Sequence, residues 1–357
     1  MITERNMKQS KKRVLLGMSG GVDSSVAAYL LKEEGYDVIG VTLQMWHGET
    51  DKTVLENSQK ANDICNQLNI THYTFNVEKE FKKYVLDYFI SEYENGRTPN
   101  PCVICNRYVK FEGLIQKARE LDIEYIATGH YANIEKKGNR FLLKKGEDIN
   151  KDQSYFLYNL SQEQLSKTIF PLGKYTKSEV REIAKKIKLL SASEPDSQEI
   201  CFIKDNNYRS FLQNYGTKII PKGEIVDTQG NILGYHEGIS KYTIGQRRGL
   251  GVHTGEPMFV IDIDKEGNRV VLGSNENLQS KELIANTLNW IYFDKFESNL
   301  KAKVKIRYGA KEVSANLIPF GENNVKVEFD SLQRAVTKGQ SVVFYLHNYI
   351  LGGGIIT

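Results

Sequence analysis

Cys102 and Cys105 stand three residues apart in "TPNPCVICNRYVKF", in a chain that holds only two other cysteines, Cys65 and Cys201. A C-x-x-C pair reads in three ways: a dithiol–disulfide couple, half of a metal site, or a coincidence in a surface loop. A second stretch with chemical content lies upstream. "GMSGGVDSS" sits where the apolar run "KRVLLGMS" hands over to the helical pattern "SSVAAYLLKEEG", and a glycine turn entering a helix aims backbone N–H groups at an oxyanion. Gly20 and Gly21 let the backbone approach closely, and Ser19, Ser24 and Ser25 add hydroxyl donors. Asp23 is out of place beside an anion unless it meets a Mg2+ ion or caps the helix. The Gly-Lys-Ser/Thr ending of a Walker A loop is absent, and a plain capped glycine turn is the bland alternative; the strand–turn–helix context favours phosphate.

These residues need a scaffold. After the first helix, "YDVIGVTLQ" reads as a buried strand, "TVLENSQKANDICNQLNI" as a helix, "THYTFNV" as a strand and "EKEFKKYVLDYFISEYENG" as a longer helix. Such βαβα alternation implies a parallel, doubly wound sheet with helices on both faces, which binds ligands beyond the carboxyl ends of its strands. The cysteine stretch reads as a loop before a helix "RYVKFEGLIQKARELD" and a strand "IEYIATGHYA". "ANIEKKGNRFLLKKG" is expected to form a hairpin turning at Gly138-Asn139. Thr176 and Glu179 have capping-box spacing and fix a helix start. The α/β domain is expected to end near residue 205, after "EICFI". Beyond it the texture changes to glycine-rich, basic and alternating segments: Val304, Ile306 and Tyr308, then Val325, Val327 and Phe329, fall on single faces at period two and suggest a small barrel. "GQRRGLG" fits an RNA contact or a basic turn, and "ILGGGIIT" a bulged last strand.

The totals agree with a multi-domain protein. The chain has 357 residues, 40% apolar and 26% charged, with a net charge of +4. That length exceeds one comfortable core, and the charge permits nucleic-acid binding without demanding it. No run approaches a membrane span or a signal h-region, so a cytoplasmic protein with no membrane partner is expected. Four cysteines in a reducing compartment read as catalytic or metal-binding rather than as a disulfide framework.

With "GMSGGVDSS", "GRTPNPCVICNRYVKF", "ATGHYA", "KDQSYFLY", "EICFI" and "KIRYG" in that order, the chain resembles the tRNA-specific 2-thiouridylase (MnmA) family of ATP pyrophosphatases over essentially its whole length. The resemblance implies an adenine nucleotide alpha hydrolase-like adenylation and thiolation domain over 1–205, a small central domain over 206–280 and a C-terminal β-barrel over 281–357. It implies a transferase that uses ATP, with Mg2+, to adenylate the C2 oxygen of the tRNA wobble uridine and replaces that oxygen with sulfur, releasing AMP and pyrophosphate. ATP would meet Gly17, Met18, Ser19, Gly20, Gly21, Val22, Asp23 and Ser24, with Leu43 and Gly129 lining the same pocket. Asn100, Pro101 and Cys102 align with the segment that meets the target base. His130, Lys151, Asp152, Gln153, Arg307, Tyr308 and Gln340 align with tRNA-contacting positions. Cys201 would carry a persulfide with Cys105 as its thiol partner, and the partners would be the tRNA anticodon stem-loop and a sulfur donor, a cysteine desulfurase or a relay protein. Chemistry agrees: the C2 oxygen leaves only once adenylated, and the base must be swung into a pocket.

One position departs from the family. Many members carry "NPD" where this chain has "NPC". A thiol of ordinary pKa is only about 3% thiolate near pH 7, so Cys102 is a poor base. As a ligand it is well suited, and Cys102, Cys105 and Cys201 with one open position suggest a 4Fe-4S cluster, in preference to the persulfide route. Zinc, with His130 or Cys65 as a fourth ligand, is the competing metal; Cys65 otherwise reads as core. Two other classes stay open: an ATP pyrophosphatase synthetase acting on a small carboxylate or carbonyl, which leaves the cysteines unused, and a non-catalytic tRNA-binding module with a structural metal, which leaves the loop unused.

Overall fold

The computed structural model describes residues 11–46, 52–194, 200–203, 207–216, 221–253 and 255–357. The boundary expected at 205 and 206 lies outside them. β1 (Arg13–Gly17) leads into helix α1 (Val22–Glu33), β2 (Asp37–Gln44), helix α2 (Lys52–Gln67) and β3 (Thr71–Asn76). β4 (Tyr125–Ala127) and a later two-residue strand complete a parallel sheet in which β1 lies between β2 and β4. Strand order reverses around β1, so its carboxyl end is the switch point of the sheet. Alternation along β1 explains the double winding. Leu15 joins Val41, Phe111 and Leu114 on one face, while Val14 and Leu16 join Val26, Leu31 and Ile64 on the other.

Two long helices carry irregular turns. The segment 78–94 is α-helical except for a π turn at Lys82–Leu86, and 101–120 is α-helical except for a π turn at Asn106–Phe111. The cysteine pair therefore lies in a helix, Pro101–Cys105, and not in the expected loop. The reason is local: Asn100 is the N-cap and Pro101 takes the first turn, where its missing N–H has no intrahelical partner to lose. The strand read through "IEYIATGHYA" is shorter than expected, because the chain leaves the sheet after Ala127.

β5 (Ala132–Lys137) and β6 (Arg140–Lys145) form the expected two-residue hairpin, with Gly138 at φ +59°. Their destination was not legible: β6 meets the C-terminal sheet at Lys144–Tyr349. With the two-residue strand Thr168–Ile169 as β7, the chain continues through β8 (Gly223–Val226), β9 (Ile232–His236), β10 (Phe259–Asp264) and β11 (Arg269–Gly273), a four-stranded sheet in the order β10-β11-β8-β9. Its own core includes Ile225, Val260, Val270 and Leu272. The C-terminal strands are β12 (Gln279–Trp290), β13 (Leu300–Lys305), β14 (Val313–Phe320), β15 (Asn324–Arg334), β16 (Ser341–Leu346) and β17 (Tyr349–Ile356). Pairing of β12 with both β15 and β17 closes them into a barrel, which removes the exposed edges. The last strand pairs irregularly with its neighbours, and Gly353 is needed because a Cβ there would sit 2.7 Å from the Tyr158 ring. Val304, Ile306, Val325, Val327 and Phe329 line the barrel core. Tyr308 does not, because β13 stops at Lys305 and the alternation stops with it. Among the described residues no helix is long and apolar enough to cross a membrane.

Candidate active site

The glycine loop leaves β1 at the switch point. Gly20 takes φ +81°, and a Cβ there would lie 3.1 Å from the Asn57 carbonyl oxygen, so a side chain is disfavoured twice. Gly21 caps α1 without a side chain, which leaves the first N–H groups of the helix open to a ligand. The serines shape this turn: Ser24 Oγ accepts from Ser19 N at 3.3 Å and donates to Gly21 O at 3.1 Å, and Ser25 Oγ donates to Gly21 O at 2.8 Å. Met18 and Val22 bury their side chains, so only their backbones can face a ligand. Gly17 passes the Leu114 methyls, and Leu43, half-buried near the end of β2, lies against Gly113.

Gly129 approaches the same helix end from the other side. A Cβ on it would be 2.9 Å from Ser24 N and 3.0 Å from the Asp23 carbonyl carbon. This close passage is the physical reason that β4 ends where it does. Two residues on, Tyr131 Oη donates to Asp23 Oδ1 at 2.7 Å, and Lys177 Nζ lies 2.7 and 2.9 Å from the two Asp23 oxygens. Asp23 is thus neither a cap nor isolated. A cradle that a Cβ would fill, uncapped N–H groups and a carboxylate beside them fit ATP with Mg2+.

The cysteines assemble next door. Cys105 is buried in a cluster with Phe81, Phe89 and Val109, and Phe202 and Ile203 enter the same cluster, with Ile200 against it. Cys201 is therefore carried on a short turn docked beside Cys105, with Ile203 N on Ile200 O at 2.9 Å. Burial pushes the Cys105 thiol up to about 12, with Lys110 pulling it down and the other two sulfurs adding to the rise. Burial likewise raises Cys102, again opposed by Lys110. Burial also raises Cys201, opposed by Lys110, although the residue keeps an exposed edge. Lys110 loses to burial, yet the three sulfurs raise it overall. His130 is pushed down to about 3, by burial first and Lys110 second, and its Nδ1 lies 2.8 Å from Thr128 Oγ1 between the Phe111 and Phe170 rings. It is a neutral imidazole near neutrality.

The 4Fe-4S site expected from the sequence is not assembled. Among the described residues no group of three or more His, Cys, Asp or Glu side chains is placed to hold a metal ion. Zinc meets the same objection. Cys65 is fully buried in the core, a Cβ on Gly40 would be 2.8 Å from its sulfur, and burial pushes it up to about 12.

Residues expected to contact tRNA fall into two groups. Asn100 stands at the N-cap position of the cysteine helix, with no capping hydrogen bond from its side chain, and hydrogen-bonds Tyr155. Pro101 is buried, Lys151 is half-buried, and Arg307 and Tyr308 are exposed on the turn after β13, Tyr308 lying 4.4 Å from Phe156. The second group is engaged inside the protein. Asp152 is buried and accepts from Gly146 N, Ser154 N and Ser154 Oγ. Gln153 Oε1 accepts from Tyr131 N while Gln153 N donates to Tyr131 O. Gln340 Nε2 donates to Thr98 O at 2.9 Å and Pro99 O at 3.2 Å, tying the barrel to the segment before the cysteines. Lys110, Tyr131 and Lys177 were missed. Tyr131 and Lys110 lie inside quoted motifs, whereas nothing local marks Lys177.

Comparison with known proteins follows this geometry. Residues 12–205 match the family model described as tRNA methyl transferase HUP domain, 209–274 the tRNA methyl transferase PRC-barrel domain and 280–356 the Aminomethyltransferase beta-barrel domain. A tRNA-specific 2-thiouridylase MnmA of Lachnoclostridium phytofermentans is 53% identical, over 97% of this chain and 99% of that one. Namesakes from Clostridium botulinum and Clostridioides difficile are each 51% identical, over 98% and 97% of this chain and 99% and 98% of theirs. At such identity over nearly the full length, the chain belongs to the tRNA-specific 2-thiouridylase MnmA family.

Proposed function

We propose that the chain is a tRNA-uridine 2-sulfurtransferase: it replaces the C2 oxygen of the wobble uridine in tRNA with sulfur, converting ATP to AMP and pyrophosphate. The observation that carries this reading is the path Gly129-His130-Tyr131. Gly129 lies on the helix end of the nucleotide loop, Tyr131 reaches Asp23, and His130 between them shares its surroundings with Lys110 of the cysteine cluster. A base extruded there would meet an activating phosphorus on one side and a sulfur on the other.

In the first step the C2 oxygen attacks the α-phosphorus of ATP, the bond to the β-phosphate oxygen breaks and pyrophosphate leaves. The residues from Gly17 to Ser24 hold the triphosphate through backbone N–H groups, with Leu43 and Gly129 walling the pocket and Asp23 placed to hold Mg2+, which supplies charge neutralisation when bound. In the second step the outer sulfur of a Cys201 persulfide bonds to C2, and AMP leaves with the former C2 oxygen. The Cys105 sulfur then attacks the Cys201 sulfur. The S–S bond breaks, 2-thiouridine is released, and a Cys105–Cys201 disulfide remains for an external dithiol to reduce. The persulfide comes from a sulfur donor protein, a desulfurase or a relay, which the exposed edge of Cys201 can meet. Cys102 lines the base site beside Asn100 and Pro101. Lys151 and Arg307 meet phosphate and Tyr308 stacks on an anticodon stem-loop nucleotide, while Asp152, Gln153 and Gln340 shape the surface. The substrates place the enzyme in the cytoplasm, whose reducing conditions keep four thiols free.

Nucleosides of tRNA from a strain lacking this gene test the reading. Loss of 2-thiouridine derivatives, restored by the chain, is expected; unchanged 2-thiouridine would end it. ATP–pyrophosphate exchange that depends on tRNA, and not on small carboxylates or amides, separates it from a small-molecule synthetase and from a binding module.

A further inference from the structure

Each round of the proposed transfer ends with Cys105 joined to Cys201, and Cys201 has to be free before a donor can load it again. Cys105 is buried and Cys201 exposed, while Cys102 is intermediate between them. The three form one group. Cys102 and Cys105 lie in a single turn, Pro101–Cys105, and the residues that follow Cys201 pack into the cluster that holds Cys105 and Val109. Residues three apart on a helix bring their Cβ atoms to about 5–6 Å, and a disulfide needs ~3.5–4.5 Å. A small adjustment of the turn closes that gap, and C-x-x-C is the spacing of redox dithiols.

One cation serves the whole group. Lys110 stands five residues after Cys105, across the π turn Asn106–Phe111, whose i→i+5 bonding sets residues that far apart one turn above another. Burial raises all three thiols, and the Lys110 charge opposes it at each. A negative charge that passes from one sulfur to another therefore stays beside the same ammonium. The wall of a pyrimidine pocket needs no thiol at position 102, whereas exchange among sulfurs does.

We propose that Cys102 is a further catalytic residue of the sulfur transfer, the thiol that reopens the Cys105–Cys201 disulfide from inside the protein. The Cys102 sulfur, as thiolate, bonds to the Cys105 sulfur, the bond from Cys105 to Cys201 breaks, and Cys201 leaves as thiolate. The proton given up at Cys102 is matched by one taken up at Cys201, so no electrons enter or leave. The oxidised pair is now Cys102–Cys105. The donor loads Cys201, and an external dithiol reduces the C-x-x-C turn before the next transfer. The proposal rests on the persulfide route given above and adds one step to it.

Disulfide mapping by mass spectrometry on the full chain tests it. The enzyme is loaded with glutathione persulfide, given tRNA, ATP and Mg2+ without oxygen or reductant, quenched in acid, alkylated and digested. Wild type that has thiolated its tRNA is expected to carry Cys102–Cys105 in about tenfold excess over Cys105–Cys201, with Cys201 alkylated. Cys102→Ser is expected to stop at Cys105–Cys201, and Cys201→Ser to form neither bond. Wild type in which Cys105–Cys201 predominates overturns the internal exchange and leaves the persulfide route standing. Cys201→Ser that forms Cys102–Cys105 also overturns it, because that bond would then arise without the transfer. Thiolated tRNA with no disulfide in the protein removes the persulfide route itself, and this step with it. If Cys102→Ser does not fold, wild type and Cys201→Ser decide between them.

Discussion

The sulfur chemistry divides between a hidden thiol and a reachable one. Cys105 is buried and held as a thiol by its surroundings, while Cys201 keeps an exposed edge on a turn docked beside it. In the proposed scheme loading takes place at Cys201 and resolution at Cys105. Cys105→Ala and Cys201→Ala are each expected to abolish tRNA thiolation while tRNA-dependent ATP–pyrophosphate exchange persists; thiolation by either variant would contradict the scheme. Protein purified without oxygen is expected to thiolate tRNA without iron or zinc, and activity that tracked bound iron and sulfide would restore the cluster expected from the sequence. His130 gives a pH prediction. Its folded value of about 3, against an ordinary 6.5, means that between these limits the unfolded chain binds a proton that the folded chain refuses. The stability it contributes is complete above pH 6.5 and lost as pH falls toward 3. Urea unfolding of His130→Gln is expected to show a shallower loss than wild type between pH 7 and 4, and equal slopes would refute the neutral imidazole.

Elements put these residues in place, and what was legible in the sequence follows the range of the interaction. Thr176 and Glu179 predict a helix start because the capping box is complete within four residues, and both of its hydrogen bonds are present. The glycine loop was readable for the same reason. Pro101 after Asn100 is a helix-start signal, and it outweighs the loop that the cysteine spacing suggests. The π turn at Asn106–Phe111 had no readable signal, nor did Lys177, whose partner Asp23 is far away in sequence. Tyr308 falls off the barrel face because its strand ends at Lys305 while the period-two pattern in the sequence runs on. Gly129 tests the element scale. The atoms that a Cβ would meet are backbone atoms of α1 and cannot swing aside. Gly129→Ala is expected to cost about 1–3 kcal/mol in stability and, by lifting this segment from the loop, to weaken ATP binding about tenfold. Equilibrium unfolding and ATP titration check both, and wild-type ATP affinity would show that the contact does not shape the pocket.

At the scale of the molecule, the barrel is wedded to the α/β sheet more closely than three consecutive units suggest. Val343, Tyr345 and Ile350 of the barrel share one core with Leu143 of the hairpin, Tyr155, Tyr158 and Phe111. Tyr155 Oη donates to Ser341 O at 2.8 Å, Asn289 Nδ2 donates to Tyr158 O at 2.7 Å, and Thr98 N donates to Lys338 O at 2.9 Å. These ties straddle the segments that carry Asn100 and Gln153, so closing the barrel on the sheet also holds the segments of the proposed base site. The four-stranded sheet differs, because its apolar side chains face one another and it meets helix 87–94 through the following Gly96, close to Ile263. Calorimetry is expected to separate the two. Tyr345→Ala, opening a cavity worth about 3–5 kcal/mol, should lower the transition of sheet and barrel together and reduce thiolation. Ile225→Ala, worth about 2–5 kcal/mol, should lower only the transition of the four-stranded sheet. If Ile225→Ala shifted the whole profile as one peak, the shared core would not be the boundary of cooperativity, and the coupling between barrel and base site would extend through the four-stranded sheet as well.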